Sequence, residues 1–270
     1  VPNLTTGGME FTEENLRALK RYCGAVGLSM EGVGARYDRW RSWGFDNFQA
    51  SLERMHDASI PTVLQITLSA INIHELDEIT DFCLSHPQLY GVIFLAYKNV
   101  GRGTRAADGL GAVDAHLVSQ ALKRSFDALS PHMRVGYDCC MTPAIAGVEE
   151  VSSFVDVSNL EGCSATRGSV GVSTGLDVVP CTFTGGYPLG NLRRQHLRDI
   201  WQGAQSEAWR RRIHGKSVGN SACAGCGKRA NCLGGCPVMP LANCHQDHLA
   251  VADFPGLQRP ARVRPGDTGV

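Results

Sequence analysis

Five cysteines stand within the 22 residues CAGCGKRANCLGGCPVMPLANC, at positions 223, 226, 232, 236 and 244. Glycines at 225, 227, 234 and 235 run between them, and little apolar side chain is left to build an ordinary core. Thiolates this close suit a tetrahedral S4 site, because a C-x2-C turn lets two sulfurs converge on one metal. Glycines such as Gly225 and Gly235 let the backbone fold tightly around the sulfurs. Zinc and an iron–sulfur cluster both take such ligands, and composition alone does not separate them. A disulfide framework is the competing structural reading.

The 270 residues hold eleven cysteines, seven of them beyond position 160. Cys163 and Cys181 join the five above to make that seven. One tetrahedral ion uses four, so seven suggests two sites or one site with spare thiols. Seven is also one short of two full sets for [4Fe–4S] clusters, leaving an open iron or a non-Cys ligand at the second. The segment VPNLTTGGME has neither a basic region nor an apolar core, and no apolar run approaches the ~18 residues that span a bilayer. The expectation is a cytoplasmic chain whose thiols stay reduced and serve as ligands rather than disulfides. Twenty-six basic and twenty-six acidic residues cancel, which argues against nucleic acid or a membrane surface as the main partner.

The elements that must position these thiols are read from periodicity. VPNLTT ends in a strand, and Thr12 caps EENLRALKRYC with acids in the first turn. AVGLSMEG (25–32) is a buried strand, and Asp46 caps a second helix with Phe48, Leu52 and Met55 as its stripe. TVLQITLSA opens at Pro61, and HELDEITDFCLSH is a third helix. LYGVIFLAY (89–97) is a central strand, a helix lies near 114–129, and MRVGYD (133–138) is a further strand. Nearly continuous apolar strands alternating with helices predict an α/β fold with a parallel sheet over 1–150. Ligands sit at strand-end loops in such folds, here 29–34, 70–73, 97–104 and 138–143. From Cys163 the text turns Gly/Ser/Thr-rich, and SVGVS with LDVVPC reads as a β-hairpin around Thr174–Gly175. Short helices follow at HLRDIW and near 204–213. The tail 253–270 is read as irregular.

The segment 163–244 resembles the SPASM domain that follows the barrel in many radical S-adenosylmethionine (SAM) enzymes. The matching residues are Cys163, Gly175, Cys181, the C-x2-C-x5-C-x3-C of Cys223, Cys226, Cys232 and Cys236, and a final Cys244. Gly190–Asn191, the DIW of 199–201 and the GGCP of 234–237 also look like that family. Five residues separate Gly175 from Cys181 where four is usual. The rest resembles the later strands of the radical SAM (β/α)6 partial barrel: TTGG at 5–8, LSMEG at 28–32, YDRWRSWGFDNF at 37–48, Asn72 ahead of HEL, and YKNVGRG at 97–103. The family's C-x3-C-x2-C for the SAM cluster and its GGEP-like segment are not in this sequence. The expectation is therefore a piece of a longer protein, inactive alone, with a split enzyme or a degenerate member as alternatives.

The resemblance implies a barrel portion over 1–150 and a SPASM auxiliary-cluster domain over 151–252. It implies two auxiliary [4Fe–4S] clusters, with SAM and a third cluster in the complete enzyme. Cys223, Cys226, Cys232 and Cys244 would ligate the outer auxiliary cluster, and Cys163, Cys181 and Cys236 the inner one. The family often has a fourth Cys close to the first, and this chain has none there. Implied chemistry is hydrogen abstraction from a peptide or protein by a SAM-derived radical, with flavodoxin or ferredoxin as reductant. The alternative is a non-catalytic iron–sulfur or zinc module that binds a partner protein or peptide. Ser29, Glu31 and Asn72 become SAM or substrate contacts, against loop-capping polarity for the first two and a helix cap for Asn72. Arg102 is an anion contact or a solvent-facing arginine. Asp138, with Cys139 and Cys140 behind it, is a substrate-facing acid or a turn aspartate beside two buried thiols. The arginines at 193, 194, 198 and 210–212, with Lys216, form a solvated face, or a docking surface for a nucleic acid or an acidic leader peptide. His245 and His248, near Cys244, keep zinc open, although the C-x2-C…H pattern of a finger is absent.

Overall fold

The computed structural model describes residues 1–98, 100, 109, 113–146, 161–218, 223 and 225–236. Arg102, Cys244, His245, His248 and the tail 253–270 lie outside the described residues. Contacts divide the chain into two units, one of Val1–Tyr97 with His116–Asp138, the other of Lys98–Ala115 with Cys139–Val270.

The first unit is built on five parallel strands in the order β1 (Leu4–Thr6), β2 (Val26–Met30), β3 (Thr62–Leu68), β4 (Gly91–Ala96) and β5 (Arg134–Tyr137). Parallel neighbours need long crossovers, and these carry α1 (Glu13–Tyr22), α2 (Ala35–Asp38), α3 (Phe45–Asp57), α4 (Leu76–Leu84) and α5 (Ala115–Leu129). Thr12 caps α1 as its sequence suggests, its Oγ1 accepting from Asn15 N–H at 3.2 Å. The start of α3 differs from the sequence reading. It begins at Phe45 after Gly44, whose φ of 88° suits glycine, and Asp46 lies exposed inside the first turn. The cap is supplied from a distance: Asp38 Oδ1 accepts from Phe45 N–H at 2.8 Å.

Register puts Leu28, Met30, Leu64, Ile66, Leu68, Val92, Phe94 and Ala96 on one sheet face, and all are buried. The buried stripes of the crossovers include Phe48, Leu52 and Met55 of α3 and Ile79 and Phe82 of α4. Each such side chain contributes roughly 1.5–3 kcal/mol. Aromatic rings tie the helices together, with Tyr37 and Phe48 centroids 5.0 Å apart and Phe45 and Phe82 5.6 Å apart. The opposite face carries Ser29, Gln65, Thr67, Ile93 and Leu95, only half-buried, with Ser29, Gln65, Ile93 and Gly136 in one cross-strand row.

The second unit has a small antiparallel sheet of β6 (Gly171–Val172), β7 (Asp177–Val179) and β8 (Gly190–Asn191). The hairpin of β6 and β7 matches the sequence reading, whereas β8 is an addition of two residues that no periodicity could announce. Its helices are α6 (Thr142–Ala146), α7 (Leu197–Gln202), α8 (Ala204–Val218) and α9 (Arg229–Cys232). The Gly–Asn pair of β8 has two jobs. A Cβ on Gly190 would lie 2.8 Å from Ile200 Cγ1, so glycine lets α7 pack, and Asn191 Nδ2 donates to Gly175 O and Asp177 Oδ1 across the hairpin turn. One small core gathers Cys163, Ala165, Trp209, Ile213 and Leu233, with Cys181 and Tyr187 packed against it.

Candidate metal centre

At the carboxyl ends of the strands in the first unit, Asn72 is fully buried and its amide is consumed by protein. Nδ2 donates to Glu31 O and Thr67 O, each at 2.9 Å, and Oδ1 accepts from Ser69 N–H at 2.7 Å and Ser69 Oγ at 3.0 Å. The residue thus ties the end of β2 to the end of β3. It stands at the N-cap of the short helical turn Ile73–Glu75, and its side chain makes no cap bond to that turn. Glu31 is buried, and Arg41 clamps its carboxylate with Nε–Oε2 at 2.7 Å and Nη2–Oε1 at 2.5 Å. That hydrogen bond, outweighing the lowering effect of burial, holds the Arg41 guanidinium above its ordinary range. Ser29 is half-buried on the open face, and Asp138 is half-buried with its N–H on Phe94 O at 3.0 Å. Arg41, Gln65 and Thr67 escaped the sequence reading. The alternation of polar Gln65 and Thr67 within β3 was a visible signal, whereas Arg41 had none.

In the second unit the thiols form two groups, and every described cysteine is free of disulfides. Cys163, Cys181 and Cys236 lie within electrostatic reach of one another. Burial first, then the neighbouring Cys236, pushes the Cys163 thiol up to about 12, and burial likewise raises Cys181. Cys232 is raised by burial first, with the neighbouring Cys223 and Cys226 adding to the shift. Against this, backbone amides favour each thiolate: Ala165 at Cys163, Phe183 at Cys181, and Gly234 and Gly235 at Cys232. Among the described residues, no three His, Cys, Asp or Glu side chains form a group that could hold a single metal ion.

The turn that divides the groups is backbone chemistry. Leu233, Gly234 and Gly235 take φ of 57°, 77° and 81° in succession, a left-handed run that glycine adopts without steric cost. It reverses the chain after α9, so Cys232 and Cys236 face different partners although three residues separate them. Gly162 supplies the other clamp. Its N–H donates to Asn231 O at 2.6 Å, and a Cβ there would stand 2.4 Å from Cys232 O. Arg210 braces the Cys163 loop, donating from Nε to Thr166 O at 2.7 Å and from Nη2 to Trp201 O at 2.6 Å. The basic stretch therefore splits: Arg210 is structural and Arg211 pairs with Glu207, whereas Arg193, Arg194 and Arg198 are exposed.

Thiolates grouped in low-dielectric pockets with N–H groups on the sulfurs are the surroundings iron–sulfur clusters use, and hydrogen bonds to sulfur tune them. The donor set fits such a cluster. Residues 163–227 match the family model of SPASM, an iron–sulfur cluster-binding domain. Together with the parallel sheet and its helical crossovers, that match gives the fold, which is similar to a radical SAM partial barrel followed by a SPASM domain.

The particular proteins it resembles are one maturation protein and several solved structures. The sporulation killing factor maturation protein SkfB of Bacillus subtilis is 25% identical over 115 residues, which are 42% of this chain and 27% of SkfB. SuiB of Streptococcus suis, solved with S-adenosylmethionine, superposes with a TM-score of 0.64 at 17% identity over 87% of this chain and 55% of SuiB. SuiB bound to its precursor peptide SuiA gives 0.65. Native anSMEcpe with bound AdoMet gives 0.61 at 17% identity, over 87% of this chain and 65% of that one. The chain thus spans from about a quarter to about two thirds of the length of these proteins. Among the described residues no helix is long and apolar enough to cross a membrane.

Proposed function

We propose that the chain supplies the later barrel strands and the auxiliary-cluster domain of a radical SAM/SPASM oxidoreductase or maturase that abstracts hydrogen from a peptide or protein. The division of the thiols into two groups with amide N–H donors on their sulfurs carries this reading. Cys223, Cys226, Cys232 and Cys244 hold one [4Fe–4S] cluster, and Cys163, Cys181 and Cys236 hold another. When bound, such clusters supply one-electron transfer or a docking point for substrate. The half-buried row of Ser29 and Gln65, with Asp138 just after β5, faces SAM or the substrate, and Arg102 is carried as a further SAM or substrate contact by the resemblance alone. Asn72 acts there through its grip on Glu31 O and Thr67 O, holding the strand ends in place. SuiB's solved partner is a precursor peptide, which makes a peptide the favoured substrate class. The C-x3-C-x2-C that would hold the SAM cluster comes from a polypeptide segment other than these 270 residues, and a flavodoxin or ferredoxin supplies electrons.

Anaerobic reconstitution of the chain tests the reading. The expected product is brown, absorbs in the visible by sulfur-to-iron charge transfer, and carries more than about four irons per chain with matching sulfide. A colourless chain holding one or two zinc ions overturns it and favours a non-catalytic zinc module. Hydrogen abstraction is checked by adding the segment with the missing motif, SAM, a reductant and deuterated peptide, and following deuterium into 5'-deoxyadenosine.

A further inference from the structure

Cys163, Cys181 and Cys236 offer three sulfurs, while a [4Fe–4S] cluster fully held by protein takes four. A fourth thiol stands in the same group. Cys139 opens the single 3-10 turn Cys139–Met141 and is half-buried, whereas its neighbour Cys140 is buried. The turn runs into α6, whose first residue Thr142 donates from Oγ1 to Glu161 O at 2.9 Å, two residues before Cys163. The next residue, Gly162, is bonded to Asn231 O, and α6 itself packs against α9. Three chain segments, entering at 139, 161 and 229, are therefore fastened to one another, and each delivers a cysteine to the same place. The Cys139 thiol lies within electrostatic reach of both Cys163 and Cys181.

We propose that Cys139 is the fourth protein ligand of the cluster held by Cys163, Cys181 and Cys236, an inference that rests on the cluster reading above. With it the second unit has two complete sets of four: Cys139, Cys163, Cys181 and Cys236, and Cys223, Cys226, Cys232 and Cys244. The thiol gives up its proton on ligation, as any cysteine ligand does. The consequence is functional. A cluster with four protein thiolates has no vacant iron for a substrate atom, so this one passes electrons rather than docking the peptide. Sequence spacing hid the residue, because 23 residues separate it from Cys163 and a Cys–Cys pair matches no ligand motif.

The test uses the full chain with Cys223→Ala and Cys226→Ala, which leaves one cluster to read. Reconstituted and then mildly oxidised, it is expected to keep about four irons, and adding Cys139→Ala to bring it to about three, because the iron left without a protein thiolate is lost on oxidation, with the EPR signal of an oxidised [3Fe–4S] cluster. Cys140→Ala is expected to leave iron and spectrum unchanged. Alkylation of the loaded wild-type chain reads the same point without a variant: Cys139 is protected while iron is bound and reacts after iron is stripped. An unaltered iron count and EPR spectrum in Cys139→Ala, or alkylation of Cys139 in the loaded chain, overturns the assignment while leaving the two-cluster reading intact. A wild-type chain that takes up no iron overturns both.

Discussion

In the sheet unit, β2 to β4 hold five to seven residues each and bury Leu28, Leu64, Ile66, Val92 and Phe94 in a continuous face. In the thiol unit the strands hold two or three residues, and the buried core around Trp209 counts Cys163 among its members. The first unit is held by apolar area and regular hydrogen bonding. The second is held by turns, side-chain braces such as Arg210 and Asn191, and positions where only glycine fits. Its buried thiols also carry a desolvation cost as thiolates that a metal offsets. The difference teaches that one unit is folded by its own side chains, whereas the other, on the cluster reading proposed above, is completed by what its sulfurs bind.

The largest expected effect is therefore that of iron removal. Stripping the chain with a chelator and oxidant is expected to release protection of the amides of Ala165, Phe183, Gly234 and Gly235 in hydrogen exchange, while amides of β2, β3 and β4 keep theirs. Structural metal binding is worth on the order of 10 kcal/mol, far above what the small Trp209 core supplies. Equal loss of protection in both units would break the comparison.

Phe48→Ala is the reverse probe. Phe48 is fully buried, with its ring against Tyr37 and Phe45, and its removal is expected to cost the sheet unit about 3–5 kcal/mol in denaturant unfolding. Iron per chain is expected to stay at the wild-type value. A fall in iron would mean that the two units do not fold by separate means.

The two units were also unequally legible from sequence. Apolar runs and Thr12 announced the strands and α1 because those signals are local and repeat with the period of the element. Asp46 misled for the same reason, since the true cap of α3 is Asp38, which the chain brings back from seven residues upstream. In the thiol unit the cysteine spacing pointed to metal chemistry, but not to which sulfur meets which. That pairing depends on the left-handed run at 233–235 and on the clamp of Gly162 onto Asn231, and Cys139 enters only through the bond from Thr142 to Glu161. Such links are tertiary and leave no periodic trace.

Two glycines of similar tightness sharpen the contrast most finely. A Cβ on Gly162 would stand 2.4 Å from Cys232 O and 2.6 Å from Asn231 O, both backbone atoms at a thiol ligand and its neighbour. Neither can yield without moving the sulfur, so Gly162→Ala is expected to cost about 1–3 kcal/mol or more and to lower iron per chain in reconstitution. A Cβ on Gly27 in β2 would stand 2.7 Å from Gln65 Nε2, the far end of a flexible side chain on the open sheet face. Gln65 can rotate away, and alanine is less costly than glycine inside a strand by roughly 0.5–1 kcal/mol. Gly27→Ala is therefore expected to change unfolding stability by about 1 kcal/mol or less and to leave iron unchanged. Thermal unfolding and iron analysis of the two variants side by side would read this, and an iron loss in Gly27→Ala matching that of Gly162→Ala would show that the thiols depend on the sheet as much as on their own turns.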